Sequence, residues 1–246
     1  MLFGTGMLLG FIGAGGGGVL IGILSGIFGL DIDAAIGTAL AAMCVVTIFG
    51  AISHYREGHV NPRIGLIVGL TGIFGAALGA ELGQRVPDRV LELGAGLTLW
   101  FLAFLVWLRT GMAARSTSPG SQREPLSRRE EAARGVVLGG TGGIAAGFFG
   151  VGMAPYLQLG LLTSLRLSLV QTIGTTMLTL VFISGSAATV LARHGDVSLE
   201  HLIAAIFGLS MGSYIGAKYT ARAPYRVLRT TVVVVPIVAG AMVLFL

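Results

Sequence analysis

The chain has 246 residues, of which 54% are hydrophobic and 11% charged, against about 25% charged in a soluble domain. That composition leaves no stretch fit to be a soluble domain and makes lipid the solvent of most of the surface. The net charge of +5 does not imply nucleic acid, because the basic residues fall in short connections between apolar stretches and on no amphipathic face.

In chain order, residues 2–29 read as an apolar segment broken at Gly13–Gly18, and spans follow at 34–54, 63–82 and 90–108. Met1 to Phe11 has no basic residue ahead of its apolar run and no small-residue cleavage pattern, so it reads as part of the mature fold. Residues 110–134, with Ser, Pro, Gly and mixed charge, read as a loop. A second broken segment covers 136–164, and spans at 169–192, 201–217 and 228–246 complete the chain. Each apolar stretch of roughly 20 residues is long enough to cross ~30 Å of hydrocarbon. The lone cysteine, Cys44, excludes an internal disulfide and is expected to pack in the core.

Sliding the chain against itself by 137 positions places Gly13 and Gly15 on Gly150 and Gly152, and Ile36-Gly37-Thr38 on Ile173-Gly174-Thr175. The same offset pairs Gly58 and Val60 with Gly195 and Val197, and Arg85 and Pro87 with Arg222 and Pro224. The chain is therefore a duplication: a first repeat at 1–109, a cytoplasmic linker and lead-in at 110–137, and a second repeat at 138–246. If each broken segment crosses the bilayer, Lys and Arg divide nine inside to seven outside; if each dips in and returns, they divide thirteen to three. The positive-inside rule selects the second count, which makes the repeats inverted, with both termini outside. Helix propensity agrees, since a continuous helix would carry four consecutive glycines, each costing about 1 kcal/mol. The expected fold is an all-α polytopic membrane protein of two inverted-topology repeats, each a re-entrant broken helix pair plus three transmembrane helices.

Free backbone groups cannot face lipid, so each break must be buried in protein or line a polar cavity. The two tips, holding Gly15, Gly16, Gly17 and Gly18 in one half and Gly152, Met153, Ala154 and Pro155 in the other, are expected to enter from opposite faces and meet near the midplane. The half-helix after each tip would aim unpaired N–H groups and about half a positive charge at that point, an arrangement that favours an anion. Pro155 suits the first helical position. No Lys or Arg lies within a span away from its ends, so hydroxyls and amides must assist. Thr38, Thr175 and Thr176 are placed to do so, with Tyr156, Gln171, Gln158 and Ser25 as further candidates.

Gly75, Gly79 and Gly83, and Gly208, Gly212 and Gly216, put small residues on one helix face and predict close helix packing. Glu81 and Lys218 occupy equivalent positions near span ends and are candidates for ion coupling. His54, His59, His194 and His201 are expected to be solvated loop histidines, and no HExxH or Cys/His spacing suggests metal. Trp100, Trp107, Tyr55, Tyr219 and Tyr225 are expected at interface belts.

The glycine tips, Ala35-Ile36-Gly37-Thr38, Gly58-His59-Val60, Ile173-Gly174-Thr175-Thr176 and Gly195-Asp196-Val197 resemble the TauE/SafE family of sulfite exporters over essentially the whole chain. The sequence departs from the family pattern at Gly22 and Leu159, where a proline is usual. The resemblance implies a multi-pass protein of the bacterial cytoplasmic membrane, without cofactor and not an enzyme, that exports sulfite or an organosulfonate. Its expected partners are the small anion, a coupling proton or ion, lipid and a second copy in a homo-oligomer. A passive anion channel, or a permease for another small carboxylate or oxyanion, is the alternative.

Overall fold

The computed structural model describes residues 2–13, 17–26, 28–115, 127–151, 153–220 and 222–245. Among these residues ten helices follow in order: α1 Leu2–Ile12, α2 Gly17–Gly26, α3 Ile32–Arg56, α4 Pro62–Gly83, α5 Asp88–Arg115, α6 Arg128–Phe149, α7 Ala154–Thr163, α8 Leu169–His194, α9 Leu199–Thr220 and α10 Tyr225–Phe245. Among the described residues there is no strand. Seven helices (α3, α4, α5, α6, α8, α9 and α10) are long and apolar enough to cross a bilayer. Their outward faces carry residues such as Phe74, Phe101 and Phe207, which are 74%, 61% and 72% exposed. Large apolar side chains left this open have lipid as their solvent.

Local chemistry sets the helix ends. Asn61 caps α4 by accepting from the Ile64 N–H at 3.2 Å, with Pro62 at the first turn where a missing N–H costs nothing. Ser127 with Glu130, and Ser168 with Gln171, form reciprocal capping boxes at the starts of α6 and α8. The first of these corrects the loop expected at 110–134. The Ser-x-x-Glu signal starts α6 at Arg128, and α5 runs on to Arg115, so helix occupies both ends of that stretch, and 116–126 lie outside the described residues.

Both broken segments are broken where expected. α6 is long enough to span, but the chain turns at Gly150 and α7 runs back beside it. Tyr156 Oη meets Thr141 Oγ1 at 2.8 Å, Gly160 abuts Leu138, and Arg134 donates to the Ser164 carbonyl at 2.9 Å.

The duplication is visible in the packing. α1 packs on α9 as α6 packs on α4; α2 packs on α10 as α7 packs on α5; α9 packs on α3 as α4 packs on α8. Two residues meet their own counterparts: the Cys44 thiol donates to the Val181 carbonyl at 3.6 Å, and Trp100 Nε1 donates to the Ile237 carbonyl at 3.0 Å. These two bonds join α3 to α8 and α5 to α10, pairs of helices that correspond at the offset of 137 positions. Trp100 stands in the middle of α5, not at a span end, and its ring lies in the space that Gly240 of α10 leaves open.

Glycines make the closest helix pairs. A Cβ at Gly75 or Gly79 would overlap the Gly140 or Ile144 carbonyl of α6, and one at Gly212 or Gly216 would overlap the Phe3 or Met7 carbonyl of α1. Each hairpin therefore packs on helices of the opposite half, and the halves interlock.

Candidate functional site

Gly13 and Gly150 end α1 and α6 with φ of +68° and +69°. Such left-handed caps are open to glycine at no steric cost. Side chains of the opposite half close over both positions: a Cβ at Gly13 would lie 2.7 Å from Ile173 Cγ2, and one at Gly150 would overlap Ile36 Cγ2. Of the glycines expected at the ligand, Gly15, Gly16 and Gly152 lie outside the described residues.

The elbows touch and overlap lengthwise. A Cβ at Gly17 would sit 2.7 Å from the Val151 carbonyl oxygen and 2.8 Å from Met43 Sδ. Gln158, 3% exposed and one turn into α7, donates its Nε2 to the Ile12 and Gly13 carbonyls at 2.9 and 3.4 Å. That amide satisfies carbonyls which the end of α1 leaves without intrahelical partners. On the other side, Phe149 and Val151 lie with Ile21, one turn into α2, around a cavity of about 10 Å³ completed by Ile32, Ile36, Leu91, Ala95 and Val243. Each elbow thus lies alongside the return helix of the other, and the walls between them are mostly apolar. α7 opens as expected, with Pro155 in its first turn, but its cap residue Met153 is buried at φ +40°. A non-glycine residue in that region carries strain of order 1 kcal/mol and calls for support from its surroundings. Ala154 is buried beside it.

The Ile-Gly-Thr motifs fasten the halves to each other. Thr175 Oγ1 accepts from the Asn61 N–H at 3.0 Å, and Thr38 Oγ1 accepts from the Ser198 N–H at 2.9 Å. Gly174 and Gly37 admit the carbonyls of His59 and Asp196 next to them. In each motif, then, Ile backs the opposite elbow, Gly admits the opposite loop, and Thr caps that loop. The loops themselves turn at Gly58 and Gly195, with φ of +75° and +92°.

The other candidates are dispersed. Thr176 and Ser25 bond back to the Thr172 and Ile21 carbonyls, as hydroxyls in apolar helices commonly do. Gln171 is exposed in its capping box, and Tyr156 lies against Thr141. Glu81, half exposed, is 3.7 Å from His194 Nε2, while exposed Lys218 stands 5.0 Å over the Tyr214 ring. Gly18 approaches Ala239 of α10.

One expectation is overturned outright. His54 is fully buried, with Nε2 3.0 Å from the Gly10 carbonyl oxygen. α3 runs to Arg56, past the span end expected at residue 54, and this keeps the imidazole inside its last turn. A polar ring directly preceding the expected boundary was the available signal.

Comparison with known proteins gives a consistent result. The family described as "Sulfite exporter TauE/SafE" matches residues 1–243. A probable membrane transporter protein, YdhB of Bacillus subtilis (strain 168), is 36% identical over 246 residues, covering 100% of this chain and 98% of the relative. A probable membrane transporter protein of Xylella fastidiosa (strain 9a5c) is 26% identical over 88% of this chain and 83% of the relative. YjnA of Bacillus subtilis (strain 168), of the same description, is 21% identical over 94% and 93%. No solved structure matches. With spanning helices from end to end and a family match over nearly the whole length, the chain is a multi-pass membrane transporter belonging to the sulfite exporter TauE/SafE family.

Proposed function

We propose that this protein is a secondary transporter in the bacterial cytoplasmic membrane, exporting a small sulfur-containing anion such as sulfite or an organosulfonate from a site at the paired elbows. The observation that carries the reading is the contact between Gly17 and the Val151 carbonyl, which brings the breaks of the two halves together. Helices α2 and α7 begin there, so their N-terminal dipoles act on one place, and the absence of a nearby Lys or Arg suits an anion that must leave as readily as it enters. The family's description as sulfite exporters supports the substrate class. The halves lie inverted, with the linker inside, in keeping with the positive-inside count and with the doubling back of α7 on α6.

Access alternates without one half rocking on the other, because the halves interlock. The motion divides α5 and α10, which pack on each other and carry α2 and α7, from the set α1, α3, α4, α6, α8 and α9, with the α2–α3 and α7–α8 contacts as the surfaces that slide. The border runs through both elbows, and the apolar cavity of about 10 Å³ lies on it. That space holds about one water, so an anion of several atoms enters only when the bodies move apart. A seal of this kind favours a carrier over a passive channel.

Counterflow of labelled sulfite and sulfoacetate in proteoliposomes tests the proposal. Saturable uptake driven by unlabelled anion inside is expected. Failure of every anion in a broad panel to be moved or bound would overturn it.

A further inference from the structure

His54 is 0% exposed in the last turn of α3. The Gly10 carbonyl, 3.0 Å from its Nε2, can only accept, so the ring donates from Nε2 and presents Nδ1 as its basic nitrogen. That Nδ1 is buried and has no hydrogen-bond partner, and the same is true of His59 Nδ1. The two rings stand 6.5 Å apart, centre to centre. A buried polar atom without a partner costs on the order of 1–3 kcal/mol, so its retention calls for a reason.

Packing does not supply one. In the second half, the position equivalent to His54 is Leu191, 4% exposed, and that equivalent to His59 is Asp196. A leucine fills the same place in the same fold, so volume alone does not require an imidazole. The pair also stands behind the first elbow. Gly10 lies one turn before Gly13, while Gly174, next to the Ile173 that backs Gly13, would place a Cβ 3.1 Å from His54 Cβ and 2.5 Å from the His59 carbonyl.

We propose that His54, reached from water through half-buried His59, binds the proton that couples transport to a proton gradient. The proposal rests on the reading of the protein as an anion transporter. The lone pair of Nδ1 takes a proton, imidazole becomes imidazolium, and release returns it unchanged. A positive charge in so dry a place is unfavourable alone, and so is an anion at the elbow; together each offsets the other, and the two bind as a pair. Other charged groups do not replace it. Helix α1 and the facing stretch of α8, residues 169–177, contain no titratable side chain. Arg56, Glu57 and Lys218 are exposed at the same end, with Arg56 on the Tyr214 hydroxyl at 3.0 Å, and Arg63 is paired with Glu131 at 3.4 Å.

The test uses the full chain in proteoliposomes, with sulfoacetate as probe, because its acid groups are ionised at neutral pH and any proton that moves is carried by the protein. His54→Gln keeps an N–H for the Gly10 carbonyl and has no basic nitrogen. With a pH gradient imposed, net sulfoacetate uptake and the accompanying proton flux are both expected to fall at least about tenfold in this variant, while the protein stays monodisperse on size exclusion. Unchanged proton flux in His54→Gln and in His54→Gln/His59→Gln, or sulfoacetate movement without protons in the parent, overturns the proposal. Nitrogen NMR of histidine-labelled protein in nanodiscs separates this from failure of the transport reading. A His54 Nδ1 that stays unprotonated from about pH 8 to about pH 4, either side of the ordinary histidine range, overturns the proton site whether or not any anion is carried.

Discussion

Among the described residues, Gln158 is the side-chain amide that joins the two elbows, and its loss has a specific consequence. Gln158→Leu removes the donor for the Ile12 and Gly13 carbonyls while keeping the volume. Two buried acceptors left without it destabilise the elbow contact by about 1–3 kcal/mol. Sulfite counterflow is expected to fall at least about tenfold while the protein stays monodisperse on size exclusion. The cap glycines make a sharper test of geometry. Gly150→Ala places a methyl against Ile36 in a left-handed backbone and should lower the unfolding temperature in detergent. Pairing it with Ile36→Ala should recover part of the loss, since the side-chain clash goes and only the backbone term of about 1 kcal/mol remains. These roles were only partly legible in the residues. Ile-Gly-Thr was visible as a repeated motif, but nothing local says that its threonine caps a loop of the other half. Thr38 and Thr175 bond to groups 160 and 114 positions away.

At the scale of the helix, the glycine stripes distinguish faces that composition alone leaves equal. On α6, Gly139 and Gly143 face carbonyls of α4, whereas a Cβ at Gly140 would meet nothing within 4 Å. Gly143→Ala should cost at least about 1–3 kcal/mol, because the α4 backbone cannot yield as a side chain would. Gly140→Ala should be neutral or stabilising by up to about 1 kcal/mol through helix propensity. Thermal unfolding of the two variants side by side decides it; equal loss in both would mean that the α4–α6 contact lies elsewhere. The breaks themselves were legible, because consecutive glycines at membrane depth oppose a continuous helix. The ends of α5 and α6 were not, since charge and serine suggested a loop where a Ser127–Glu130 capping box starts a helix.

For the whole molecule, the proposed motion of two bodies makes a prediction opposite to that of rocking halves. Spin labels at Leu78 on α4 and Phe207 on α9 sit in different halves but in the same body, whereas labels at Leu78 and Phe101 on α5 share a half and lie in different bodies. All three positions are more than half exposed. On adding sulfite, the Leu78–Phe101 distance should change and the Leu78–Phe207 distance should hold. Electron–electron resonance showing the reverse would restore half-against-half motion. What the sequence determined unaided is the class of solvent, the duplication, the spans and the two breaks, because each depends on residue type at short range or at one fixed offset. Tertiary structure alone decided that the hairpins pack on opposite halves, that the elbows overlap along each other's return helices, and that His54 is buried while Glu81 and Lys218 stand at the surface. Those outcomes depend on which glycine face meets which carbonyl ridge across the chain, and the hydropathy of a stretch is the same for every choice of partner.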